Sequence, residues 1–231
     1  MSGMQYSGWQ SPRYRNRTAI SQGDIQERAL LEATRRLLQQ KLPSQLTVGS
    51  IASEAGLARS TVYFYFDSKE SILSATIESV VGPMMDEHEQ LLTDNGFTAA
   101  FPAILRLLFA TWKTHSGILS GVMEFVASHP DYRRVWRGYM ERSVALQVAA
   151  LERDRQRGLP VGSGDLEAEL LAFCWMAERC CYMLFSRDHD LEEERHLFEV
   201  LFGMVSRITG TRLSDSSSNV WSGENGHTAE A

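Results

Sequence analysis

Cysteine is scarce in this chain of 231 residues, and the three present, Cys174, Cys180 and Cys181, are crowded together. An odd, clustered set does not make a disulfide framework, and there is no CxxC pair to begin a zinc site. Long apolar runs are missing too. No stretch of about 18 residues is apolar and free of charge, which argues against a membrane-spanning helix. The N-terminal residues lack a basic-then-apolar signal pattern, so a cytoplasmic protein is expected. Proline is sparse, at six residues, and helix formers dominate, so the fold class expected is all-α. Catalytic constellations are absent as well. No nucleophile–base pair, glycine-rich phosphate loop or paired carboxylates stand out, so neither enzyme activity nor a cofactor is expected. Asp188, His189 and Asp190 come nearest to a metal set. They adjoin one another before an acidic helix start and read as a solvated turn, so no metal is expected. Glu178 and Arg179 read as an internal ion pair.

Apolar residues make up 43% of the chain, enough to fill a core. The net charge of −6 is unevenly spread. Residues 1–70 hold nine Lys and Arg against six Asp and Glu, a balance of +3, while the remainder holds 14 against 23, a balance of −9. A basic end on an acidic body suits a protein that meets nucleic acid at one end only.

The most informative stretch is TVGSIASEAGLARSTVYFYFDSK, from Thr47 to Lys69. Thr47 is a good N-cap, and Ile51 and Ala52 share one face of a short helix. Gly56 falls where that helix must stop. A second short helix, roughly Ala58 to Phe66, points Val62 back to the same core. A small residue, a turn glycine and a locking apolar residue at this spacing form a helix-turn-helix. Ser60, Thr61 and Tyr63 are candidates for base contacts. Thr47, Arg59, Tyr65 and Lys69 are candidates for phosphate contacts, which set register. A hairpin with its aromatics in the core would bury several polar side chains without partners.

The run STVYFYFDSKE resembles the signature of the TetR family of bacterial repressors. Thr61, Val62, Tyr63, Tyr65, Phe66, Lys69 and Glu70 carry the match, and Asp67 departs from the family's frequent proline. The Tyr-Phe-Tyr-Phe order is similar to the ethionamide-resistance branch. The resemblance implies a three-helix DNA-binding domain followed by a helical ligand-binding and dimerisation domain, about nine helices in all. It also implies a dimer that binds a palindromic double-stranded DNA operator and is released by a small-molecule effector.

Residues 1–22 are polar and aperiodic and read as a disordered arm. Its Arg13, Arg15 and Arg17 suit either the DNA minor groove and phosphates or a solvated tail. A helix over 24–41 completes the DNA-binding domain at 23–68, and the ligand-binding and dimerisation domain covers 69–210. Ser68 caps a fourth helix toward Leu92, with a kink or break expected at Gly82-Pro83. Asn95-Gly96 punctuates the chain. Helices are expected over 98–115, 118–128, 130–157, 165–187 and 191–208, and a disordered tail over 211–231. The last two helices are apolar enough to suggest a protein partner, or else they complete a monomer core. TetR-like proteins dimerise through these two helices as a four-helix bundle, which implies a homodimer here.

Aromatic and methionine side chains of the body are core or pocket lining. WKTH, RVWRGYM, ALERDRQRG and MAERCCYMLF also resemble the ethionamide-resistance branch. That resemblance implies an apolar ligand tunnel lined by Phe101, Leu105, Leu108, Trp112, Trp136, Met140, Cys174, Ala177 and Tyr182. Cys174 and Ala177 replace the branch's polar amides, so an apolar effector is expected. A carrier of apolar ligands with a vestigial helix-turn-helix is the alternative.

Overall fold

The computed structural model describes residues 22–213. The arginine arm and the chain beyond residue 213 lie outside the described residues. Seven α-helices form the described chain: α1 Gln22–Leu38, α2 Val48–Glu54, α3 Arg59–Tyr65, α4 Lys69–Ser128, α5 Pro130–Gln156, α6 Leu166–Phe185 and α7 Leu191–Thr209. The class is all-α, as the composition suggests. The count of about nine helices is corrected to seven, because three expected segments join in α4.

Two positions should have interrupted α4, and each is repaired by side chains from elsewhere. Pro83 has no amide for the carbonyl of Ser79, four residues back. Arg35 of α1 donates from Nη2 to that carbonyl at 3.3 Å and to the Ser79 hydroxyl at 2.6 Å. The carbonyl orphaned by proline is therefore satisfied, and the helix continues. Gly96 adopts a left-handed φ of 74°, so the axis cannot pass straight through it. Arg153 of α5 donates to the Leu92 carbonyl at 3.1 Å, and the Asp154 carboxylate accepts from the Thr98 amide at 2.7 Å. Both sides of the irregularity are thereby capped.

Arg35→Met is expected to destabilise the protein by about 1–2 kcal/mol, since it strands the Ser79 carbonyl, while the Ser79 hydroxyl keeps its bond to the Thr76 carbonyl. Pro83→Ala restores an amide for Ser79, so the cost of Arg35→Met should shrink in that background. Urea unfolding of the four-member mutant cycle checks this, and an undiminished cost would rule out the carbonyl as the point of action.

The chain groups into two units. The first holds the described residues up to Pro83 together with His115–Tyr139, and the second holds Met84–Thr114 together with the described residues from Met140 onward. In the first, α1 packs on α2 and α2 on α3. Leu30, Ala33, Ile51 and Val62 are wholly or almost wholly buried there. Arg36 of α1 pairs with Glu54 of α2 at 2.7 Å, outside that core. In the second unit, α6 packs on α7. Aromatic contacts tie them to α4: Phe109 meets Phe185 and Phe198 edge-on, each at 5.6 Å between centroids. Helix α7 begins with Asp190 accepting from the Glu193 amide at 2.9 Å and carries Glu192, Glu193 and Glu194 at its positive end.

Candidate nucleic-acid interface and ligand-binding body

The helix-turn-helix is built from local bonds. The Thr47 hydroxyl accepts from the Ser50 amide at 3.0 Å, and the Ser50 hydroxyl accepts from the Thr47 amide at 3.0 Å. Two unpaired donors of α2 are satisfied reciprocally in this way. At the other end, Leu57 N–H reaches the Ala52 carbonyl at 2.9 Å and Gly56 N–H reaches Ser53 at 3.1 Å. This double closure needs a left-handed residue, and Gly56 supplies it with φ 67°.

With the turn closed, α3 is anchored inward by the fully buried Val62 and shows its other faces to solvent. Arg59 and Ser60 are exposed and Thr61 is half-buried. Tyr63 is 48% exposed. Arg59 Nη2 donates to the Tyr63 phenol at 3.1 Å, and its guanidinium lies 5.7 Å from the ring centroid. That contact orients the tyrosine. Thr47 is exposed at the start of α2. Two other sequence candidates are engaged within the protein. The Tyr65 phenol donates to Gln26 Oε1 at 2.9 Å, and Lys69 Nζ donates to the Pro43 carbonyl at 3.2 Å. Phe64, which the sequence reading passed over, is the most exposed large apolar residue of the described chain at 74%. Its signal was the unbroken aromatic run: four consecutive residues of a helix point to all its sides, so they cannot all face one core.

Of the residues implied for a ligand tunnel, Phe101, Leu105, Trp112 and Ala177 are buried in the second unit, while Leu108, Met140, Cys174 and Tyr182 are half-buried there. Trp112 meets Tyr182 edge-on at 6.5 Å. Trp136 alone falls in the first unit, buried and tilted against Tyr139 at 6.2 Å.

Burial pushes the Cys174 thiol up to about 11, against the opposing effect of its hydrogen bonds to Gln147 and Ser143, and raises Cys181 further. Both are neutral thiols at physiological pH, and neutral thiols are poor nucleophiles. Glu178 is buried, its Oε1 has no hydrogen-bond partner in the protein, and burial holds its carboxyl above the usual range. Arg179 is exposed and lies over the Tyr182 ring at 5.1 Å, in place of the expected internal pair. Asp188-His189-Asp190 has structural partners: Asp190 caps α7 and His189 Nε2 lies 3.0 Å from Glu194 Oε1. Among the described residues no group of His, Cys, Asp and Glu is arranged to hold a metal ion, and no helix is long and apolar enough to cross a membrane.

Known proteins share these features. Residues 30–76 match the family described as bacterial regulatory proteins, tetR family. Residues 102–208 match the C-terminal domain of the transcriptional regulator EthR. The HTH-type transcriptional regulator EthR of Mycolicibacterium smegmatis is 30% identical over 159 residues, which cover 64% of this chain and 69% of that protein. EthR of Mycobacterium tuberculosis is 27% identical over 189 residues, covering 80% and 87%. A crystal structure of a TetR transcription regulator from Haloarcula marismortui shares the fold with a TM-score of 0.63 at 20% identity, over 80% of this chain and 98% of that one. The class is therefore a DNA-binding helix-turn-helix transcriptional regulator, and its relatives are not enzymes. The chain belongs to the TetR family, and its body is similar to that of the EthR regulators.

Proposed function

We propose that this regulator is a repressor that binds a palindromic operator as a homodimer and is released by a largely apolar small molecule. One observation carries the DNA half. A seven-residue helix, held by a single buried valine and a capped turn, turns Arg59, Ser60 and Tyr63 outward together. The DNA-binding domain then covers 23–68, and the ligand-binding and dimerisation domain covers 69–210. Ser60, Thr61 and Tyr63 contact base edges. Thr47 and Arg59 hold phosphates, joined by Tyr65 and Lys69 once they leave Gln26 and the Pro43 carbonyl. Phe64 suits the methyl group of a thymine.

The dimer forms through α6 and α7. Both leave apolar side chains uncovered along one stripe: Ala172, Met176 and Met183 on α6, and Leu197, Val200 and Met204 on α7, with Met183 60% and Val200 41% exposed. A second copy buries such stripes by two-fold symmetry and presents two recognition helices to successive major grooves. The effector enters the second unit among Phe101, Leu105, Leu108, Trp112, Met140, Cys174, Ala177 and Tyr182. It acts through α4, which contributes to both units, and its effect is bounded by its differential affinity for the two states. Such a regulator works in the cytoplasm.

Selection of genomic fragments by the purified protein at near-physiological salt tests this reading. An enriched inverted repeat is expected. Tyr63→Ala should weaken binding to it by about 1–3 kcal/mol, roughly 5–150-fold, and relax specificity at one position of each half-site. Equal affinity in the variant would remove Tyr63 from the base contacts, and no enriched repeat from ligand-stripped protein would remove the operator.

A further inference from the structure

The second unit holds a chain of polar side chains where its helices otherwise bury apolar ones. His88 of α4 is 5% exposed and Gln147 of α5 is 3% exposed. The Ser143 hydroxyl lies between them. It accepts from Gln147 Nε2 at 3.1 Å and stands 3.5 Å from His88 Nδ1. Gln147 Nε2 also reaches Cys174 Sγ of α6 at 3.7 Å. Three helices are thus linked through one polar chain. Each end of it nevertheless has an atom with no partner in the protein, His88 Nε2 and Gln147 Oε1. A buried polar atom left without a hydrogen bond costs roughly 1–3 kcal/mol, so two joined by one chain call for an explanation.

We infer that Gln147 Oε1 and His88 Nε2 form the polar anchor of the effector site and select an uncharged head group that donates a hydrogen bond, a hydroxyl or primary carboxamide, on a largely apolar ligand. This rests on the proposed ligand-binding role of the second unit and names its ligand class. Gln147 Oε1 can only accept, so the head must donate. An ether, an ester or a bare hydrocarbon leaves that acceptor unmet. When the Ser143 hydroxyl donates to His88 Nδ1, the neutral imidazole carries its proton on Nε2 and is a donor for a head-group oxygen. A carboxylate is refused: the described cation that acts on His88, Arg142, is engaged by Glu89 at 2.6 Å. Burial and Arg142 together hold His88 down at about 4, with Glu89 opposing, so the imidazole is uncharged at neutral pH. Cys174 and Ala177 of α6 offer no amide to this site. Here the amide comes instead from α5.

The test measures binding of four probes sharing one apolar body, 4-phenylbutan-1-ol, 4-phenylbutanamide, 4-phenylbutanoate and butylbenzene, to the full-length, ligand-stripped protein by calorimetry. A purely apolar site ranks butylbenzene first, because the heads cost desolvation. The anchored site reverses that order. The alcohol and amide should bind at least tenfold tighter than butylbenzene, and the carboxylate at least tenfold weaker than the amide. In Gln147→Leu, and in the closer isostere Gln147→Met, the preference for a head should fall below twofold while butylbenzene binds as well or better. Butylbenzene binding without preference for the heads in the native protein would overturn the anchor alone, the orphan atoms then holding no more than water. A preference that survives both variants would place the anchor elsewhere. Binding of none of the four probes would overturn the ligand-binding reading itself.

Discussion

Gly96→Ala is expected to lower stability by about 3–5 kcal/mol. Two costs combine. At φ 74° an L side chain strains the backbone by roughly 1–2 kcal/mol. The added methyl also overlaps the Asp154 carboxylate. Asp154 is 1% exposed, accepts from the Thr98 amide at 2.7 Å and lies 3.9 Å from Arg157. Displacing it removes a hydrogen bond to a charged group, worth roughly 1.5–3 kcal/mol, beside the left-handed residue of α4. Denaturant unfolding measures the loss, and a change under about 1 kcal/mol would be incompatible with this geometry. A mutant cycle separates the two costs. In an Asp154→Ala background the methyl has no carboxylate to displace, so Gly96→Ala should cost only the strain.

The second large effect is on pH dependence. His88 of the folded protein stays uncharged down to about pH 4, mainly through burial, then through the positive charge of Arg142, with Glu89 acting in the opposite sense. An unfolded chain protonates the same imidazole near its ordinary value of 6.5. Between those values the unfolded state binds more protons, so acidification favours unfolding. The loss begins as pH falls through 6.5, proceeds at about 1.4 kcal/mol per pH unit and reaches about 3 kcal/mol near pH 4. Other groups titrate in this range, so the measurement is a difference. Stability is followed from pH 7.5 to 4.5 in the native protein and in His88→Leu, and the native curve should fall more steeply by up to that slope. Parallel curves would show that the folded protein accepts a proton on His88 as readily as the unfolded chain does.

Much of the fold was legible in the sequence wherever the rule is local. Thr47 and Ser68 cap α2 and α4, each accepting a hydrogen bond from an amide three residues on; Asp165 and Asp190 do the same for α6 and α7, where the sequence suggested only a solvated turn at Asp190. Gly56 ends α2 through bonds that span at most five residues. The apolar stripes of α6 and α7 repeat at helical spacing, and TVYFYFDSKE is long enough to mark the family. The candidate DNA-facing residues were legible in part. Arg59, Ser60 and Tyr63 follow from the helical period once Val62 is assigned to the core. The inward ties of Tyr65 to Gln26 and of Lys69 to Pro43 did not, because their partners lie 39 and 26 residues away.

The same distinction explains the corrected helix count. Proline and Asn-Gly stop a helix when the carbonyls and amides they orphan have only water to turn to. In this chain Arg35 reaches across 44 residues to Ser79, Arg153 across 61 to Leu92 and Asp154 across 56 to Thr98, so α4 continues past both signals. The polar chain in the body is of this kind too. His88 and Gln147 occupy positions of buried stripes, with Met85 and Leu92 in one and Val144 and Leu151 in the other. A polar residue at such a position is visible in the sequence as an anomaly. Its meaning is not, because Ser143 and Cys174 become its neighbours only when α4, α5 and α6 pack. The sequence by itself determined the helical class, the turn of the DNA-reading motif and the caps, since these depend on backbone preferences and on side chains within about one and a half turns. Tertiary structure decided where α4 continues, which donors of the motif stay free and where the body keeps unsatisfied polar atoms, since each depends on a partner that only packing brings within hydrogen-bond reach.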